Sequence, residues 1–530
     1  MKQESGAGKQ NGLLAVNDLT YLLEPDLSVA VNVTHKNHFF QSTNYDSTQR
    51  AVCILNSGAD YLDTRGSYLR LKLNFAALTG QDRMHFGQDG SILNIIRTVT
   101  VTTRSGDELS RVTDCNHLNA MLNGYRFDKD WVETTGQAIG IGRSFHSKPL
   151  TEDNTVFTIP LYLLSDLFAY GRLLPSMVAS GLRIELEFER PTVAFCGLVG
   201  GAVTTTANVH TVAGPAAVGA ARYDYTIEEL HINAKSVQLT DATQRALNDQ
   251  CRTDGLEIVY CDWEKTQARY PNGTTSLAHV EVRKACSRAV KAFVRVRDLA
   301  NDNLIQRDSF ASSGRFDVLE YQWQLGSLYF PQQPVKSTTV ARPDENMQEC
   351  YHHMLNACGK VNPLSSRPAI GLNNSDTNGT CAKRDIYSAA RNTVADLGAF
   401  STFNAANHMI PNVNILAING GNGLWGATNN REQLLNNGLI YGREEQSPFA
   451  EIGSFGCVST TLGVNLERSD QFPLSGIPIN NSRVLALRIQ WGGDDGLKMN
   501  PMKAKARIVD VYLKYVKLAR VFLNNVEVEE

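Results

Sequence analysis

The chain has 530 residues and a mass of 58.4 kDa, room for roughly two to four domains of ordinary size. Hydrophobic residues make up 42% and charged residues 20%, close to the globular average, which excludes global disorder. The 51 Lys and Arg against 54 Asp and Glu leave a net charge of -3, and the first thirty residues hold only Lys2 and Lys9; without a localised basic excess, direct sequence-specific nucleic-acid binding is disfavoured. No run approaches about 18 consecutive apolar residues, so no transmembrane segment is expected. Met1–Asn17 is polar and lacks the apolar centre of a secretory signal. The 10 cysteines are scattered singly from Cys53 to Cys457 without a C-x-x-C, as free thiols made in a reducing compartment would be. Synthesis in a cytosol without a signal peptide is the expectation.

In chain order, period-two alternation with β-branched and aromatic residues dominates. Strands are expected at Val29–His35, Tyr68–Phe75, Ile92–Thr103, Thr155–Leu161, Leu182–Glu189 and Tyr223–Ile232, then at Leu256–Trp263, Ala292–Arg297, Glu320–Tyr329, Cys457–Leu466, Val484–Trp491 and Ala504–Phe522. Turn residues separate them, as in Ser105-Gly106-Asp107, Pro271-Asn272-Gly273 and Gly492-Gly493-Asp494-Asp495-Gly496. Helices are expected at Glu108–Tyr125 and at Pro343–Cys358, each directly after a strand, the second with Asp344 as N-cap, a buried stripe of Met347, Tyr351, Met354, Leu355 and Cys358, and Gly359 as its stop. The order strand, helix, strand, small-residue approach, strand, loop, strand therefore occurs twice, and a duplicated domain explains it. Two segments interrupt the regularity: 194–219, without Asp, Glu, Lys or Arg, and 360–447, rich in Asn, Gly and Ser with a short helical candidate at Arg431–Asn436. These read as surface projections or contact loops.

The closing strand Ala504–Phe522 is apolar at both parities, with Ile508, Val509, Val511, Tyr512, Leu513, Tyr515, Val516 and Leu518. Such a strand must be covered on both faces, and a second sheet covers only one. An inserted loop or a neighbouring subunit is expected to cover the other, and Tyr321, Trp323, Tyr329 and Phe330 read as a second apolar surplus of the same kind.

No chemical motif survives its plainer reading. Gly421-Asn-Gly423-Leu-Trp-Gly426 has the spacing of a dinucleotide loop but no following parallel strand, so it reads as a loop. Gly6-Ala-Gly8-Lys9 lacks the spacing and hydroxyl of a phosphate loop. Cys350, His352, His353 and Cys358 could suggest zinc, but the two cysteines stand about 12 Å apart along a helix, too far to share an ion. His35 and His38 fall on opposite faces of a strand, which excludes a shared metal site of the cupin kind. Asp494 and Asp495 read as hairpin-turn residues. No catalytic, cofactor-binding or metal-ligating residue is assigned, and no enzyme activity is expected.

One known pattern matches the doublet. Ile159-Pro160-Leu161, Leu163-Leu164-Ser165-Asp166-Leu167 and Leu174-Pro175 lead into the Leu182–Phe188 strand; Gln324-Leu325-Gly326-Ser327 precedes Tyr329-Phe330-Pro331-Gln332-Gln333-Pro334; and Val511-Tyr512-Leu513-Lys514-Tyr515 closes the chain. In these residues and their order the chain resembles the double jelly-roll major capsid proteins of eukaryotic double-stranded DNA viruses, of the virophage and Polinton-like virus type. The resemblance implies a mainly β fold of two tandem eight-stranded jelly-roll sandwiches with short helices and long inserted loops. It divides the chain into an arm at 1–28, a first jelly roll at 29–240, a second at 241–523 and a tail at 524–530. It further implies a homotrimeric, pseudo-hexameric capsomer tiling an icosahedral shell in the virion, with the penton and minor capsid proteins as partners. The alternative is a two-domain carbohydrate-binding sandwich, since lectins share the architecture.

Overall fold

In a computed structural model of the protein, the structure describes residues 30–75, 83–86, 90–136, 138–141, 156–169, 171, 173–198, 204–206, 209–211, 224–253, 255–271, 277–298, 309–310, 318–336, 348–361, 461–468, 474–480, 483–491, 507–522 and 526–530. The N-terminal arm, most of the 194–219 segment, nearly all of the long insertion with its glycine motif, and Asp494-Asp495 lie outside them.

The first half contributes β1 (Ala30–Phe39), β2 (Asn44–Asp46), β3 (Arg50–Ile54), β4 (Tyr61–Phe75), β5 (Arg83–His85), β6 (Ile96–Thr102), β7 (Glu108–Val112), β8 (Val156–Pro160), β9 (Arg183–Phe188), β10 (Cys196–Leu198), β11 (Thr204–Thr206), β12 (Val209–Thr211) and β13 (Tyr225–Leu239). The second half contributes β14 (Leu256–Tyr270), β15 (Leu277–Val282), β16 (Cys286–Asp298), β17 (Val318–Leu325), β18 (Leu328–Lys336), β19 (Thr461–Asn465), β20 (Ile477–Ile479), β21 (Leu485–Trp491), β22 (Arg507–Val521) and β23 (Val526–Glu529). Three longer helices accompany them: α1 (Cys115–Arg126), α2 (Asp241–Thr253) and α3 (Gln348–Cys358).

In the first half the antiparallel sheets run β1-β13-β4-β8 and β3-β9-β6-β7; in the second they run β14-β22-β16-β19 and β15-β21-β17-β18. Counting the eight principal strands of each half in chain order, both halves read 1-8-3-6 on one sheet and 2-7-4-5 on the other. That is the jelly roll, made twice. Each copy also places a helix between its fifth and sixth strands, α1 in the first and α3 in the second. Alternation on one strand fills each core: Leu69, Leu71 and Leu73 of β4 face inward, while Val509, Val511 and Leu513 of β22 join Trp323 and Leu487 in the second core.

Several elements differ from the sequence expectation, each for a local reason. Glu108–Val112 is a strand, and the helix starts only at Cys115. The tight turn at Gly106 (φ 100°), held by Asp107 against Thr103 and Ser105, returns the chain as a hairpin, and Asp114 at φ 47° ends the strand. Glu320–Tyr329 is likewise a hairpin, β17 and β18, folded at Gly326 with φ 58°. The residues 524–530, expected as a tail, include β23, which pairs with β22 beyond the end of β16. Helix α2 joins the two sandwiches and stops at Gly255.

Backbone approach is tightest at Gly476, beside the register shift in β16: a Cβ there would lie 2.7 Å from the carbonyl carbon of Ala289. Backbone cannot yield as a side-chain tip can, so Gly476→Ala should destabilise the second sandwich by about 1–3 kcal/mol, read as a lower midpoint in denaturant unfolding. An unchanged midpoint would show that this edge relaxes freely.

Candidate functional site

The second face of β22 is covered, and by neither of the expected covers. Tyr512, Ala519 and Val521 belong to the same apolar cluster as the first sandwich's core, together with Tyr260 and Trp263 of β14 and Met354 and Ala357 of α3. The chain's own first sandwich supplies the cover. Tyr321 and Trp323 are likewise spent inside the second core, because β17 points them inward; the surplus is confined to exposed Tyr329 and partly buried Phe330.

The junction holds charge as well as apolar surface. β7 and the start of α1 lie against β14 and β22, and three polar chains cross between the sandwiches. In the first, Asp262 of β14 accepts from the Ser110 hydroxyl at 2.9 Å and the Arg111 amide at 3.3 Å, and pairs with Lys517 of β22 at 2.9 Å. Ser110 in turn meets Ser165 at 2.7 Å, and the Leu109 carbonyl accepts from the Tyr260 hydroxyl at 2.6 Å. In the second, Asp114 pairs with Arg97 at 3.5 Å and with Lys265 of β14 in close contact. Lys265 reaches Asp510 of β22 at 3.1 Å, and Asp510 also accepts from Arg297 at 2.7 Å and Gln267 at 2.8 Å. In the third, Asp166 holds Lys514 at 2.6 Å and the Trp263 indole N–H at 3.2 Å.

Asp262, Lys517 and Asp510 are at most 2% exposed, so each charge depends on its partners rather than on water. Burial alone would lower Lys517, but Asp262 and then Glu530 outweigh it and hold the ammonium above its ordinary value. Burial pushes the Asp262 carboxyl up, against the pull of Lys517 and the Ser110 hydroxyl. For Asp166, burial is outweighed by Lys514 and Arg126, and for Asp510 by Arg297 and Lys265, so both stay below the usual 3.8. A carboxylate lowered on folding stabilises the fold above its unfolded pKa and loses that contribution as pH falls through its folded value. The melting temperature should therefore be insensitive to these two groups down to about pH 4 and fall below it, less steeply in Asp510→Asn than in the parent chain. An equal acid slope in that variant would remove Asp510 from the linkage.

Beside the second chain opens a cleft of about 560 Å³ lined by Arg97, Asp114, His117, Glu189, Arg190 and Arg269, among others, acids and bases mixed. Burial first, then the cations Arg297, Lys265 and Arg295, keep His117 well below its ordinary pKa, and its ring lies 4.6 Å from that of Phe310.

The residues weighed as chemical candidates are dispersed. His35 hydrogen-bonds Asn233 at 2.9 Å, while His38 sits at the end of β1 near Cys53 and Asn56. Cys350 is buried and donates to the Lys336 carbonyl, and burial pushes the Cys358 thiol up to about 11. The rings of His352 and His353 stand edge to face at 6.2 Å. Among the described residues no group of three His, Cys, Asp or Glu could hold a metal ion, and no helix is long and apolar enough to cross a membrane. Sequence spacing does not mark the junction as a site, although Ser165 and Asp166 stand within the Leu163–Leu167 motif. The available signal was charge inside apolar strands: Asp510, Lys514 and Lys517 interrupt an otherwise apolar run, and a buried charge requires a partner.

No family model matches the chain, and no curated protein matches it. Among solved structures it is similar to VP54 of PBCV-1 fitted into a reconstruction of the virophage Sputnik, at a TM-score of 0.50 and 8% identity over 96% of this chain and 100% of that one. The Sputnik virophage structure follows at 0.48 and 10% identity, over 96% and 90% of the two chains. The mavirus major capsid protein stands at 0.46 and 8% identity, over 96% and 92%. The likeness to VP54 is one of fold, and it spans nearly the whole length. The chain is a double jelly-roll protein of the architecture found in viral major capsid proteins.

Proposed function

We propose that the protein is the major capsid protein of a double-stranded DNA virus. The observation that carries the reading is the repetition of one strand order, 1-8-3-6 over 2-7-4-5, in two sandwiches joined by charged contacts from Asp114 to Lys265, Asp166 to Lys514 and Asp262 to Ser110. A chain that presents two similar sandwiches at a fixed angle offers a lattice two similar corners. Three such chains give six around one axis, which is the geometry of a nearly hexagonal tile. The unit is then a homotrimer of three 58.4 kDa chains, 175.2 kDa, standing in the icosahedral shell of the virion, with penton and minor capsid proteins filling the remaining positions. The two jelly rolls occupy 29–240 and 241–523, and the arm before them serves assembly. The role is structural, without catalysis. The joint supports this: Asp114, Asp166, Asp262 and Asp510 are each engaged by a cation, within the second sandwich or across to it.

Light scattering coupled to size exclusion tests the unit. A mass of about 175 kDa at micromolar concentration is expected, three times the chain mass. A clean monomer in low salt would leave the reading without its building block. Deleting residues 1–18 should leave the unit's melting temperature within about 2 °C of the parent while impairing shell formation, because a polar, glycine-containing arm cannot offset its own ordering entropy. Equal loss of both would assign the arm to the core.

A further inference from the structure

The cleft beside the second polar chain belongs to neither sandwich alone. Residues of β3, β6, α1 and β9 line it from the first, and Gln267 and Arg269 of β14 with Arg297 of β16 line it from the second. Its volume of about 560 Å³ is that of a small-molecule site.

The arginines of the lining are unequally engaged. Arg97 pairs with Asp114 at 3.5 Å, Arg297 with Asp510 at 2.7 Å, and Arg50 with Glu185 in close contact. Arg190 and Arg269, one from each sandwich, are exposed and make no ion pair among the described residues. Arg269 donates to the Gln267 side chain at 3.3 Å. A guanidinium without a carboxylate presents a planar fork of donors that matches a carboxylate or a phosphate.

The acids of the lining set the rest of the chemistry. Asp114 is already shared between Arg97 and Lys265. Glu189 is buried, accepts from the Arg190 backbone amide at 3.0 Å and the Asn116 side chain at 3.2 Å, and burial pushes its carboxyl up. Glu187 is exposed and makes no ion pair among the described residues, so it repels a bare anion but accepts from hydroxyls. His117 also lines the cleft, and its buried Nδ1 has no hydrogen-bond partner. A neutral imidazole donates or accepts, as a hydroxyl does. Thr48 adds a hydroxyl of its own at a left-handed φ of 68°, and Asp114 stands at 47°; backbone strain of this kind collects at ligand sites.

We propose that this cleft binds an acidic sugar, a polyhydroxylated ring carrying one carboxylate or phosphate. The anionic group lies between Arg190 and Arg269, and the hydroxyls turn toward Glu187, Thr48 and His117. A bare anion would leave Glu187 and His117 without donors or acceptors, and a neutral sugar would leave the two arginines without a counter-charge. A ligand held in this way touches both sandwiches at once and braces the joint.

Calorimetric titration of the full chain tests the site with glucuronate, glucose 6-phosphate, glucose and inorganic phosphate. At least one of the two acidic sugars should bind with a dissociation constant of about 1 mM or tighter, and which one tells carboxylate from phosphate. Glucose and inorganic phosphate should each bind about tenfold more weakly or worse, the factor that one charge-assisted hydrogen bond supplies. Arg190→Gln with Arg269→Gln alters exposed positions, so the unliganded variant should melt with the parent while binding weakens about a hundredfold. Arg104→Gln, at an exposed arginine outside the cleft, should bind as the parent does. Phosphate binding as tightly as the acidic sugars would reduce the cleft to an anion site, and glucose doing so would remove the role of the arginines. Binding that survives the double change, or absence of binding by both acidic sugars, would overturn the site. None of these outcomes alters the scattering mass, so the capsid reading stands or falls separately.

Discussion

Replacing Asp262 with alanine should cost about 3–5 kcal/mol of stability, because it removes one member of a buried ion pair and leaves the other behind. Lys517 would keep the Leu109 carbonyl at 3.5 Å and Glu530 at 3.2 Å, but Glu530 is 38% exposed at its side chain and solvent screens its charge. Ser110 and the Arg111 amide would lose their acceptor at the same time. The paired change Asp262→Leu with Lys517→Met removes both charges and should recover most of the loss, since a buried pair replaced by apolar groups of similar volume is often neutral. Denaturant unfolding of the single and double variants checks both statements. A single-variant loss below about 1 kcal/mol would mean that water reaches Lys517 in the folded chain.

The duplication was legible because helix and strand patterns recur in one order, and the resemblance then converted that order into a jelly roll. Boundaries were legible only where periodicity was unambiguous. Leu109 and Val112 stand three residues apart, a spacing that suits a helix as well as a twisted strand end, and the hairpin at Gly106 decided between them. Short strands such as β3 and β15 escape the pattern because five or six residues carry too little of it, whereas β21 agrees with its expected bounds to within one residue. The joint was not legible as a site. Its members come from β7, α1, β14, β16 and β22, so no local spacing connects Asp114 to Lys265 or Asp262 to Ser110. The two-faced apolar character of β22 did announce a cover, but one strand cannot say whose surface supplies it, and the chain's own first sandwich was the omitted candidate. With Tyr512, Ala519 and Val521 packed into the first sandwich's cluster, the outer face of β22 needs neither an inserted loop nor a neighbouring subunit to cover it.

The other large effect expected is cooperative rather than local. Trp323 is fully buried in the second core among Tyr321, Leu487 and Leu513, and truncation to alanine should cost about 3–5 kcal/mol through lost burial and the cavity left behind. The loss should not be confined to the second sandwich. One apolar cluster runs from Leu118, Met121 and Leu122 of α1 to Met354 and Ala357 of α3 and on to Tyr512 and Val521 of β22, so melting either sandwich exposes part of the other's packing. Calorimetry of the parent should show one transition, and Trp323→Ala should shift that single transition downward. Tyr512→Ala should act differently. Its ring lies in the shared cluster and its hydroxyl reaches the Asp114 carbonyl at 3.4 Å, so its removal weakens the joint while sparing both inner cores, and two transitions should separate. Two transitions already present in the parent, with Trp323→Ala lowering only one, would show that the buried charges orient the sandwiches without coupling their unfolding.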